Sequence, residues 1–114
     1  MPDTQAKPDP GIADHLIGKY VIIRATAAGV HAGTLAACNG GQTVRLTNSR
    51  RLWRWTAARG YTLSGVAKYG LKSNNGWTMI PDVVDDLIIT DACEIITTSP
   101  KAQASIEEWP VHEP

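Results

Sequence analysis

Phenylalanine is missing from this sequence, and between His15 and Pro81 so is every aspartate and glutamate. The first absence leaves four Trp and three Tyr to supply all aromatic volume, so at least two Trp are expected in the core. The second removes any carboxylate that could act there as general acid or base, or orient a histidine. Phosphate loops of the G-x-x-x-x-G-K-[ST] type and G-x-S-x-G elbows are also lacking. No apolar run is long enough to span a bilayer. The two cysteines, Cys38 and Cys93, have neither disulfide-framework nor metal-ligand spacing, and are expected as buried free thiols. The three histidines, His15, His31 and His112, lie far apart without ligand spacing. These absences point away from an enzyme, a metal site or a cofactor, and toward a binding protein.

What is present is a charge split. Lys19, Arg24, Arg45, Arg50, Arg51, Arg54, Arg59, Lys68 and Lys72 fall in the acid-free stretch. From Asp82 onward eight acids face one base, Lys101, and the formal net charge of the whole chain is zero. Such asymmetry suggests an anionic partner for the basic part, or an acidic part that folds back to neutralise it. Both hold together if some arginines stay unpaired.

At 114 residues the chain fits one small domain. Residues 1–14 are polar, acidic and carry three prolines, without an apolar signal-peptide core. They are expected as a disordered arm, with a domain over 15–109 and a frayed end over 110–114. A cytoplasmic location in a bacterial host cell and no membrane contact are expected. Short β-prone runs predict strands over Lys19–Thr26, Val30–Ala37, Gln42–Thr47 and Arg51–Thr56. Gly33 inside the second predicts a bulge, bend or close backbone approach. Ala28-Gly29, Asn39-Gly40-Gly41 and Asn48-Ser49 predict turns. Thr62–Tyr69 reads as a helix stopped by Gly70. Trp77–Ile80, Leu87–Thr90 and Glu94–Thr97 read as extended. Ser99-Pro100 starts a second helix running to about Glu108. The whole predicts a mainly β fold: a small, strongly bent SH3-like or Sm-like barrel with two short helices.

Two resemblances follow. LIGKYVIIRATAAGVHAGTL with TVRLTNS, over about residues 16–49, resembles the first motif of Sm-like proteins. The helix that usually precedes that motif is replaced by the Pro-rich arm, and no second motif follows Trp55, so no RNA-binding residues carry over. HLIGKYV, HAGTL, RRLWRW, IITDACEII and KAQASI, over about residues 15–109, resemble a family of small bacteriophage proteins. That resemblance implies a setting inside an infected bacterium and brings no activity with it.

RRLWRW, residues 50–55, concentrates the chemistry. As a strand it places Arg51, Trp53 and Trp55 on one side and Arg50, Leu52 and Arg54 on the other. Trp53 and Trp55 are then either core or a platform on which a base stacks. Arginine forks bind phosphate bidentately. The candidate ligand-binding set is Arg24, His31, Arg50, Arg51, Trp53, Arg54, Trp55, Arg59 and Tyr61. The expected partner is a small nucleotide or nucleic acid, bound without catalysis by a homo-oligomer. The sharpest form is sequestration of a host immune signalling nucleotide. The alternatives are an Sm-like RNA or single-stranded DNA binder, and a direct protein inhibitor of a host enzyme, since Trp, Tyr and Arg dominate protein interfaces.

Overall fold

The computed structural model describes residues 11–39 and 42–112. The expected turn at Gly40-Gly41 and most of the expected arm, residues 1–10, lie outside the described residues. Residues 11–14 are not part of a free arm. Gly11 donates its amide to Asp14 Oδ2 at 2.8 Å, and Asp14–Leu16 forms a single 3-10 turn that buries Leu16.

Five strands follow the alternating pattern: β1 Tyr20–Ala25, β2 Val30–Asn39, β3 Thr43–Arg51, β4 Val84–Ile89 and β5 Ala92–Thr97. They form one antiparallel sheet in the order β4-β3-β2-β1-β5. The expected barrel closure differs: no ladder joins β4 to β5 among the described residues, and the sheet is open. Its two edge strands nevertheless feed one apolar cluster, through Ile89 of β4 and Ala92 of β5. Val21, Ile23, Leu35, Val44 and Leu46 complete that cluster from the strands between.

β1 is buried on both faces, because its alternate residues Tyr20 and Ile22 enter a second cluster on the other side. There the sheet is covered by helices α1 Leu63–Tyr69 and α2 Pro100–Glu107, which contribute Val66, Ala67 and Ile106. Half-buried Trp55 and Trp109 pack against this cluster, as the lack of phenylalanine requires.

The expected turn at Asn48-Ser49 is instead a bulge that lets β3 continue to Arg51. Thr34 pairs with Thr47 and Ala32 with Arg50, so two residues of β3 oppose Gly33 alone. Asn48 takes the left-handed conformation, φ 50°. A Cβ on Gly33 would sit 3.0 Å from the Ser49 Cα, which is why this strand position holds glycine.

The helices are tied by one residue. Ser99 Oγ accepts the Ala102 amide at 3.0 Å as N-cap of α2 and donates to the Lys68 carbonyl of α1 at 2.7 Å. The Ser99 amide donates to the Ala67 carbonyl at 2.9 Å. Orphan groups of two helix ends are thus satisfied together. The end over 110–112 is not frayed: Val111 bridges Ile80, and His112 donates its amide to the Ile80 carbonyl at 2.9 Å.

Arg50 joins these parts. Its side chain is buried, and Nε donates to the Pro81 carbonyl at 3.0 Å and Nη2 to Ile80 at 3.1 Å. Nη1 donates to the carbonyls of Ile106 at 2.8 Å and Trp109 at 2.6 Å. Burial lowers its pKa, and the neighbouring Tyr20 and Asp82 act in the opposite sense. Arg50→Met should therefore cost on the order of 3–5 kcal/mol in urea denaturation, since four carbonyls lose a charged donor inside the protein. Close by, the buried Tyr20 hydroxyl has no hydrogen-bond partner among the described residues. Its pKa is pushed up by burial first and by Glu107 second. Tyr20→Phe should leave the denaturation midpoint unchanged or raise it, because it removes a buried hydroxyl without stranding a partner.

Candidate functional site

The nine residues singled out from the sequence do not form one site. Arg24 lies on β1 and pairs with Glu94 of β5, Nε to Oε1 at 2.8 Å. Arg50 is structural, as described above. His31 is buried, and its Nε2–H donates to the Ala28 carbonyl at 2.8 Å. Arg51 Nη1 donates to the same carbonyl at 2.9 Å. The amides of Ala27 and Ala28 donate to Asp91 Oδ2 at 2.6 and 3.2 Å. His31 and Arg51 therefore clamp the β1–β2 turn from one side while Asp91 holds it from the other. Neither is grouped with the tryptophans.

The expected strand over Arg51–Thr56 ends at Arg51. Arg50 and Leu52 point inward, Arg51 and Trp53 outward, and the chain then bends. After the bend the phase slips, so Trp55 packs on the core while Trp53 stands 58% exposed. The two tryptophans do not share a face. One is core and the other is surface.

The partner of Trp53 comes from further along the chain. Trp77, 49% exposed, is presented by a tight loop in which Asn74, Asn75 and Gly76 all have positive φ. The Arg54 guanidinium lies 4.4 Å from the Trp77 ring centroid and 5.3 Å from that of Trp53. Its Nη2 approaches Met79 Sδ at 2.6 Å, and its buried Nε has no hydrogen-bond partner among the described residues. His112 stands on the Trp53 ring, centroids 6.2 Å apart and planes tilted by 38°. The result is a cation held between two half-exposed indoles, with a thioether in place of a carboxylate. Cation–π contacts of this kind contribute roughly 0.5–2 kcal/mol each.

Sequence reasoning found Trp53 and Arg54 and missed Trp77, Met79 and His112. The only signal for Trp77 was the Asn-Asn-Gly before it, which marks a loop able to project a side chain.

Arg59 and Tyr61 sit elsewhere. The Arg59 guanidinium is 5.0 Å from the Tyr69 ring centroid, and Lys68 Nζ is 5.8 Å from the same ring. Tyr61, 97% exposed at φ 59°, stands on the loop tip beyond Arg59.

Electrostatics divides the basic residues in two. Two ion pairs occur among the described residues, Arg24–Glu94 and Arg45–Asp86, each at 2.8 Å. In the second, the arginine holds the Asp86 carboxyl below its ordinary range through a forked hydrogen bond. The acidic strands β4 and β5 thus neutralise arginines of the sheet. Arg51, Arg54, Arg59, Lys68 and Lys72 have no carboxylate at ion-pair distance among the described residues.

The thiols depart from the expected burial of both. Cys38 is half-buried and donates to Asp14 Oδ1 at 3.3 Å, while Cys93 is exposed and donates to the Arg24 carbonyl at 3.2 Å. Both line a mainly apolar groove of about 450 Å³ with Ile12, His15 and Ile95. Among the described residues no cluster of His, Cys, Asp and Glu could hold a metal ion, and no helix is long and apolar enough to cross a membrane.

The His31 clamp generates a pH prediction. Desolvation is the largest influence on this imidazole and lowers its pKa below the ordinary value. The unfolded chain then binds a proton near pH ~6.5 that the folded chain refuses. Stability is complete above that pH and declines as pH falls from about 6.5 to the lowered folded value. Thermal melts between pH 8 and pH 5 should show this decline, and His31→Gln should reduce it.

Residues 18–106 match the model of DUF6948, a domain family of unknown function, and the chain belongs to that family. No curated protein and no solved structure matches the chain.

Proposed function

We propose that this member of the DUF6948 family is a non-enzymatic binding protein whose working surface is the Trp53–Arg54–Trp77 stack. On this reading it takes an anionic, base-containing ligand. One observation carries the proposal: the Arg54 guanidinium is held between two half-exposed indoles with no carboxylate partner among the described residues. A surface indole offers a base its face, and each such stack is worth roughly 1–3 kcal/mol. An arginine without a carboxylate keeps its charge for phosphate. Lys72, exposed and bonded through its amide to the Thr56 carbonyl, adds a second cation without a carboxylate partner among the described residues.

The resemblance to small bacteriophage proteins supplies the setting we infer: the cytoplasm of an infected bacterium, where such a protein would withdraw a host immune signalling nucleotide. The stack lies open on the surface of a single chain, so enclosing a small nucleotide requires a second copy. This is why we favour a homo-oligomer for that version. The curl of the sheet around one cluster supports assigning it to the SH3-like and Sm-like class of small barrels.

Titration of intrinsic tryptophan fluorescence with cyclic di- and trinucleotides, ADP-ribose and short RNA and DNA oligomers tests the proposal. Trp77→Ala should weaken binding roughly 5- to 100-fold. Its melting temperature should stay close to that of the parent protein, since the ring is half-exposed. Arg24→Ala, at the far ion pair, should leave affinity unchanged. If no base-containing ligand perturbs the fluorescence, the stack is an anchor for a protein partner and the proposal fails.

A further inference from the structure

The sheet ends on one side at β4, and no strand pairs with the outer edge of β4 among the described residues. The other end, β5, is met at its start by Gln42, whose carbonyl accepts the Ala92 amide at 3.0 Å, and α1 lies beside it. On β4, Val84 is 48% exposed and Ile88 60% exposed. An uncovered edge that carries apolar side chains is a template for another strand.

The backbone and the side chains of β4 both specify which strand fits. The Val84 carbonyl faces β3, where Ser49 Oγ donates to it at 3.3 Å. Alternation then turns the amides and carbonyls of Asp85 and Leu87 outward. Ile88 pairs with Arg45 and Asp86 with Thr47, so Val84, Asp86 and Ile88 share the sheet face that carries Arg45. In either direction this face runs apolar, acid, apolar. An antiparallel second copy of β4 centred on Asp86 therefore sets Val84 against the partner's Ile88, and Ile88 against the partner's Val84. These are positions without a hydrogen bond between them, where side chains stand closest. Asp85 and Leu87 meanwhile exchange backbone hydrogen bonds with the partner's Leu87 and Asp85.

The cost of this register is Asp86 facing Asp86, and each copy offsets it from within. Arg45 forks onto that carboxylate through Nε and Nη2, both at 2.8 Å. Centring on Asp85 would instead oppose two carboxylates that have no cation at ion-pair distance among the described residues. Centring on Leu87 would press Asp86 against the partner's Ile88. A basic foreign peptide gains little here, because Asp86 already has its arginine.

We infer that β4 is a homodimer edge: two copies join β4 to β4, antiparallel about a two-fold axis at Asp86, into one continuous sheet with five strands from each. Such an interface is isologous, so it closes at two copies and leaves no β4 edge free. It uses none of the residues of the Trp53–Arg54–Trp77 stack and stands whatever the stack binds.

Sedimentation equilibrium of the full chain between about 1 µM and 200 µM tests the inference. The chain should pass from monomer to dimer in this range. Ile88→Lys, at an exposed position, should raise the dissociation constant at least tenfold while the circular dichroism spectrum stays that of the parent. Arg45→Gln should also weaken the dimer at low salt, by uncovering the two facing carboxylates, and added salt should restore much of the loss. Asp86→Cys, with the exposed thiol removed by Cys93→Ser, should form a disulfide between copies on mild oxidation, since a residue facing itself across this pair lies within disulfide reach. Peptide mapping identifies the bridge. A monomer at every concentration would overturn the inference. A dimer that survives Ile88→Lys, or that fails to bridge through position 86, would overturn it too, by placing the contact on another surface or in another register.

Discussion

The four hydrogen bonds of the Arg50 guanidinium are the constraint on which the rest of the molecule depends. They run from the last turn of β3 to the carbonyls of Ile80, Pro81, Ile106 and Trp109. An open five-stranded sheet needs one face covered, and here the cover is made from separate pieces of chain. Two of the carbonyls belong to the end of α2 and the residues after it, where partial negative charge accumulates. The other two belong to the segment that returns from Trp77 to β4. A neutral side-chain amide has two N–H donors and would satisfy two of these groups at most. A guanidinium satisfies all four and carries the charge that favours a helix C-terminus. Trp77 and His112 reach the surface near Trp53 because the segments bearing them are held by this one side chain and by the Ile80–Val111 bridge.

The zero net charge conceals a division of labour among cations. Arg24 and Arg45 sit on strands that neighbour the acidic β5 and β4, and their charge is spent on the sheet. Arg50 spends its charge on carbonyls. Arg51 gives one of its N–H groups to the β1–β2 turn. From Arg54 to Lys72 the cations meet only aromatic rings, a thioether or solvent. Sequence composition alone treats all nine as equivalent. Their neighbours across the sheet decide which are available.

Much of the fold was legible because it rests on local rules. The faces of β1, with Val21 and Ile23 on one side and Ile22 on the other, follow from alternation. Ser99-Pro100 announced α2 through cap chemistry, and Gly70 stopped α1 at φ 92°. Gly33 marked a close backbone approach. The Asn48-Ser49 pair misled because an asparagine with positive φ serves a bulge as readily as a turn, and only the opposing strand distinguishes them. The candidate site was less legible. Its centre, Trp53 and Arg54, lay in the most conspicuous hexapeptide, but Trp77 and Met79 join it from more than twenty residues away through tertiary pairing. A buried arginine bonded to carbonyls and a free one look alike in sequence, so the carbonyl partners of Arg50 and His31 are not legible there. Nor is the ion pair of Arg24, whose partner Glu94 is seventy residues distant.

The pairing of β1 with β5 has a consequence for how the protein is made. Val21 pairs with Thr97, and Ile22 with Ile96, so the strand buried on both faces is completed by one of the last elements of the domain. Loop closure over more than seventy residues must precede that contact, and topologies dominated by such contacts fold slowly. During synthesis β1, β2 and β3 emerge as a meander whose strongest apolar strand has an unpaired edge. That edge is covered only when β5 leaves the ribosome. Until then the nascent chain carries an exposed pairing surface of Val21, Ile22 and Ile23, the segment most in need of protection by a chaperone.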